Sequence, residues 1–103
     1  MTKEEAIYWM KLGARCIHKF IGTGEWVTID EIGLYVLEDG LRCTPNEFWE
    51  LRVGECWEDN WEFADGYDPY ACIAAREYRC PLSEVTPIMR MIVKNSMFPI
   101  KYC

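Results

Sequence analysis

Four helix-start signals divide this chain and leave room for one sheet between the first two. Thr2 and Glu5 stand at capping-box spacing, and Thr44-Pro45-Asn46-Glu47 repeats the box with proline at the first helical position. Asp68-Pro69 and Thr86-Pro87 each set a capping side chain before a proline. The first helix shows an apolar face of Ala6, Ile7, Trp9, Met10 and Leu12, and Gly13 suits the left-handed residue that ends it.

Between residues 14 and 43 the pattern changes to alternation. Cys16, His18 and Phe20 share one face of a predicted strand, with Arg15, Ile17, Lys19 and Ile21 on the other. Gly22-Thr23-Gly24 makes a turn, Glu25 to Ile29 returns, and Trp26 faces away from Val27. Leu34 to Leu37 is a third strand, and Asp39-Gly40 turns it into a short fourth at Leu41 to Cys43. A helix is predicted from Pro45 to about Val53, then a strand within Cys56 to Ala64. Helices follow from Asp68 to about Arg79 and from Thr86 to about Asn95, the last with Ile88, Met89, Met91 and Ile92 inward.

These elements predict an α+β fold: a small antiparallel sheet with an N-terminal helix, a short helix before the last strand, and C-terminal helices packed on it. At 103 residues the chain is read as a single domain, a sheet core over 1–66 and a helical extension over 67–103.

Charge is unevenly distributed. Residues 44–68 carry one Arg against eight acids, whereas residues 69–103 carry five basic and two acidic residues. With a net charge of −6, the chain lacks the clustered positive charge that releases counterions from nucleic acid. That argues against direct nucleic-acid binding. The acidic run Glu47, Glu50, Glu55, Glu58, Asp59, Glu62 and Asp65 fits either a solvated flank or a docking face for a basic protein surface. The basic tail folding back on it is a third reading.

Six cysteines show no CxxC pair, the N-terminus has no signal-peptide pattern, and no apolar run spans a membrane. The expectation is a cytoplasmic protein with reduced cysteines, no metal and no membrane partner. No P-loop or dinucleotide fingerprint occurs, so no cofactor is expected. Cys16 and His18 share a strand face and form the one conceivable nucleophile–base pair, though no known cysteine-enzyme signature surrounds them. Aromatics make up 15% of the chain, and Trp49, Trp57 and Trp61 lie among the acids. Such rings either fill a small core or stack on bases, which is worth on the order of 1–3 kcal/mol per base.

The opening EEAIYWMKLGARCIHKF followed by GEWVTI resembles the start of a class of small phage-encoded proteins. Glu5-Ala6, Gly13, Arg15 and Trp26 match its first part, and Asp59-Asn60-Trp61-Glu62 is similar to its acidic D-W-E strand. The class includes the second Thoeris anti-defence sponge family, and one anti-CRISPR protein is similar to it. The resemblance covers residues 4–64. Phe20-Ile21-Gly22 stands where the family has Trp-Asn-Gly, and the tail from Tyr67 has no counterpart. It implies a non-enzymatic homo-oligomer of the host cytoplasm that counters antiviral immunity by binding. The partner would be a cyclic-nucleotide-type small molecule, held by Trp26, Trp61, Arg15 and Arg42. Otherwise it would be a host defence protein such as a CRISPR-type nuclease complex, its basic groove blocked by the acidic face. A small Cys/His enzyme and a phage accessory protein are the other readings.

Overall fold

The computed structural model describes residues 1–22 and 24–102, without the side chains of 98–102. Thr23 of the expected turn and Cys103 lie outside the described residues. The order is α1 (Lys3–Leu12), β1 (Cys16–His18), β2 (Val27–Ile29), β3 (Tyr35–Leu37), β4 (Arg42–Cys43), α2 (Pro45–Glu50), β5 (Trp61–Phe63), α3 (Pro69–Glu77) and α4 (Pro87–Tyr102). Two 3₁₀ turns interrupt it, at Glu55–Trp57 and Leu82–Glu84. The fold is α+β, with a five-stranded antiparallel sheet ordered β4-β3-β2-β1-β5.

Local chemistry sets the boundaries. Both capping boxes form: the Thr2 hydroxyl accepts from Glu5 N–H and the Glu5 carboxylate accepts from Thr2 N–H, with Thr44 and Glu47 repeating the exchange. Asp68 accepts from the Tyr70 and Ala71 amides. Helix α2 ends at Glu50, earlier than its pattern predicts, because the chain tightens as Arg52 N–H donates to Trp49 C=O. Strand β1 ends at His18, where Ile21 N–H turns back to the His18 carbonyl and leaves Phe20 more than half exposed.

The register Cys16↔Val27 and His18↔Trp61 places Cys16, His18, Val27, Ile29, Tyr35 and Trp61 on one sheet face. Ala6 and Met10 of α1 and Phe48 of α2 cover that face and close the main core. Full burial of such side chains contributes about 1.5–3 kcal/mol each. The opposite face carries Arg15, Ile17, Trp26, Thr28, Val36 and Arg42 by alternation.

A second apolar cluster joins Ile73 and Ala74 of α3 to Val93 of α4, with Trp9, Leu12, Met89 and Met97 against it. The inward face of α4 is therefore Met89, Val93 and Met97, at intervals of four residues. Ile88, Met91 and Ile92, expected inside, are exposed. The helix also runs past Asn95 to Tyr102. A tail-to-middle ion pair forms, Arg90 Nε to Asp68 Oδ2 at 2.8 Å. Among the described residues no helix is long and apolar enough to cross a membrane.

Candidate functional site: an arginine-lined cleft

Arg15 immediately precedes β1, and its carbonyl accepts from Ala64 N–H beyond β5. The β1–β2 register sets Trp26 diagonally across from it on the open sheet face. The guanidinium carbon lies 4.2 Å from the Trp26 ring centroid and 4.4 Å from that of Tyr67, which follows β5. The two rings are 6.0 Å apart. Aromatic faces attract a guanidinium through their quadrupoles and leave its in-plane N–H groups available. Among the described residues no carboxylate or carbonyl accepts from that side chain.

Arg15 forms one wall of a 670 Å³ cleft between the open sheet face and α3. Arg76 and Arg79 come from α3 and its C-terminal turn, and Thr28, Asp30 and Glu31 from the end of β2. Arg76 is structural in part: it donates to the Lys11 and Ile29 carbonyls, tying α3 to α1 and β2. Burial lowers its pKa from the ordinary 12.5, and the nearby Glu31 and Asp30 oppose that shift. Asp30 accepts from the Ile32 and Leu34 amides and forms an ion pair with Arg42 Nε at 3.3 Å.

Arg79 occupies an unusual backbone position. Cys80 N–H bonds to Ala75 C=O and Arg79 N–H to Arg76 C=O, the two bonds of a Schellman motif. Arg79 is its left-handed residue, with φ of 52°. Glycine normally fills that place, because a Cβ there costs about 1–2 kcal/mol. A long cationic side chain is kept at this cost, and no partner for it exists among the described residues.

The four residues predicted to hold a ligand separate. Arg15 and Trp26 meet. Arg42 shares their sheet face, but β4 is three strand spacings from β1, about 14 Å. It sits at the far rim, with its charge answered by Asp30. Trp61 is corrected outright: at 0% exposure it lies on the core face and has no surface for a ligand. Its Nε1 donates to Trp57 C=O at 2.8 Å, and Trp49 packs edge-on against it. Sequence reasoning missed Arg76, Arg79, Tyr67, Asp30 and Glu31. The i, i+3 spacing of the two arginines was the available signal, since it sets them on one helix side.

The predicted acidic residues Glu47, Glu50, Glu55, Glu58, Asp59, Glu62 and Asp65 are all exposed. Leu51 and Val53 among them are 82% and 73% exposed. Glu47 is committed to its cap, and the bonds from Thr44 hold its carboxyl below the ordinary range.

Cys16 and His18 share the core face as expected, yet neither is poised for chemistry. Burial pushes the Cys16 thiol up to about 12, whereas a nucleophile needs a readily formed thiolate. His18 Nδ1 accepts from Phe20 N–H, so Nε2 carries the proton and donates to Asp59 C=O at 2.9 Å. Trp57 and Trp61 enclose the ring, with centroids at 4.5 and 4.9 Å. The five described cysteines are unpaired, and no group of three or more His, Cys, Asp or Glu among the described residues is placed to hold a metal. No known protein family, curated protein or solved structure matches the chain.

Proposed function

We propose that the protein acts by binding without transforming its ligand, and that the ligand is a phosphorylated nucleotide-type signal captured in the arginine-lined cleft. The observation carrying this reading is the convergence of Arg15, Arg76 and Arg79 on one cavity, two of them without an acceptor among the described residues. Guanidinium groups bind phosphate oxygens in bidentate fashion. Asp30 and Glu31 on the facing wall suit ribose hydroxyls or a base amino group. A volume of 670 Å³ lies within the usual range for small-molecule sites. The likeness of residues 4–64 to the anti-defence sponges supplies the biological setting, removal of a host immune signal.

Calorimetric titration with cyclic ADP-ribose-type and linear nucleotides tests this. Saturable binding, lost in Arg15→Ala and Arg79→Ala, with the nucleotide recovered intact by mass spectrometry, is the expected result. Equal binding by both variants, absence of binding, or a converted nucleotide overturns it.

A second reading rests on Leu51 and Val53, exposed in the segment between Glu50 and Glu55. Exposed apolar side chains next to carboxylates suit a basic protein surface. Under that reading, affinity for a nuclease complex falls steeply with salt and is lost in Leu51→Asp, while Arg79→Ala has no effect.

A further inference from the structure

The two acids on the facing wall of the cleft are not equivalent. Asp30 spends its carboxylate within the chain. Its Oδ1 accepts from the Ile32 and Leu34 amides at 3.0 and 2.9 Å, and its Oδ2 pairs with Arg42 Nε at 3.3 Å. Asp30 N–H also donates to Leu34 C=O, and Gly33 N–H to Asp30 C=O. Gly33 takes the left-handed place in the turn so formed, at φ 91°. Glu31 stands next to Asp30 on this fixed turn, exposed and lining the cleft. Among the described residues no hydrogen bond or ion pair engages its carboxylate. Its charge reaches Arg76 without pairing with it.

An unpaired carboxylate in an anion-binding cleft repels phosphate, and it lowers affinity unless a donor on the same ligand answers it. An ionised carboxylate only accepts, and its two oxygens suit two adjacent donors. A ribose cis-diol offers such a pair, and so does a base edge with an amino group. The lining decides between them. Recognition of a base edge is commonly coupled to stacking of the base on an aromatic ring. No aromatic ring lines this cleft among the described residues, because Trp26 and Tyr67 turn to the Arg15 guanidinium instead. A sugar diol requires no such platform. Resting on the nucleotide reading of the cleft, we infer that Glu31 reads the ribose, its two oxygens accepting from the vicinal hydroxyls. The captured ligand is then a ribonucleotide with a free cis-diol, and Asp30 with Arg42 positions the turn that presents Glu31.

Calorimetric titration of the whole chain with four probes tests this: adenosine diphosphate, its dideoxy form lacking both ribose hydroxyls, inosine diphosphate and inorganic pyrophosphate. The parent binds the adenosine and inosine compounds alike and the dideoxy form about tenfold more weakly. Glu31→Gln, at an exposed position, erases that preference by weakening the two ribonucleotides. Pyrophosphate binds this variant at least as tightly as the parent, because a like charge is gone. A parent that holds the dideoxy form as tightly as adenosine diphosphate overturns the inference and leaves the phosphate reading intact. So does a preference for adenosine over inosine diphosphate with the sugar ignored, which assigns Glu31 to the base. A Glu31→Gln chain that keeps the ribose preference, or that loses pyrophosphate as much as nucleotide, overturns the inference too. Absence of binding for every probe overturns the phosphate reading and this inference with it.

Discussion

The Arg15 guanidinium rests 4.2 Å from the Trp26 ring, a contact made diagonally across β1 and β2. Under the proposed function the ring orients the cation for an anion in the cleft, and it lies outside the main core. Trp26→Ala therefore costs about 1 kcal/mol of stability. It weakens nucleotide binding by about tenfold, because losing about 1.4 kcal/mol of orientation corresponds to that factor. Trp26→Phe recovers much of the affinity. Urea unfolding and calorimetric titration on the same preparations separate the two effects.

Arg79 offers a test in which stability and binding move in opposite directions. Arg79→Gly relieves the left-handed backbone at φ 52° and gains about 1 kcal/mol of stability. The same change removes a cleft cation and lowers nucleotide affinity. A midpoint of urea unfolding that rises while affinity falls is the expected pair of outcomes.

The buried aromatic end of the core predicts large losses. Trp61→Ala removes a fully buried ring and its hydrogen bond, at a cost of about 3–5 kcal/mol. His18→Ala strips two backbone groups of their partner and opens a cavity against Trp57, costing about 2–4 kcal/mol. Denaturant titration followed by Trp fluorescence reads both. These losses are structural, so any binding that survives in the folded fraction keeps its parent affinity.

Alkaline pH destabilises the fold through Cys16. The thiol ionises near its ordinary 9.0 in the unfolded chain and near 12 in the folded one, because burial opposes the charge. The contribution is complete below pH 9 and is lost as pH rises toward 12, at about 1.4 kcal/mol per pH unit. Cys43, Cys72 and Tyr35 are shifted in the same direction by burial. Cys16→Ala reduces the slope of stability against pH between 9 and 11. In native labelling with iodoacetamide near pH 8, Cys56 reacts before the other described cysteines and Cys16 stays protected.

Removing either capping hydroxyl shortens a helix without touching the core. Thr2→Ala and Thr44→Ala each cost about 1 kcal/mol. Both Glu5 and Glu47 are held below the ordinary 4.5 by their threonine partners, so the boxes form above that pH and are lost as pH falls through the lowered values. Far-ultraviolet circular dichroism during acid titration checks the direction.

The sequence by itself determined the features that depend on near neighbours. Thr2, Thr44 and Asp68 cap helices because a side chain and an amide two or three residues on can meet within one turn. Alternation set Cys16 with His18 and Trp26 against Val27, and charge alone placed the seven acidic residues in water. Tertiary structure decided what lies opposite what. Trp61 became core and Trp26 did not, because β5 pairs with β1 so that Trp61 meets His18 under α2. Arg15 was joined by Arg76, Arg79 and Tyr67 because α3 docks beside the open sheet face, and Arg42 was parted from it by the strand order. On α4 both sides are apolar, and periodicity cannot say which of two apolar faces meets the protein. The packing of Ile73 and Ala74 against Val93 made that choice and left Ile88, Met91 and Ile92 outside.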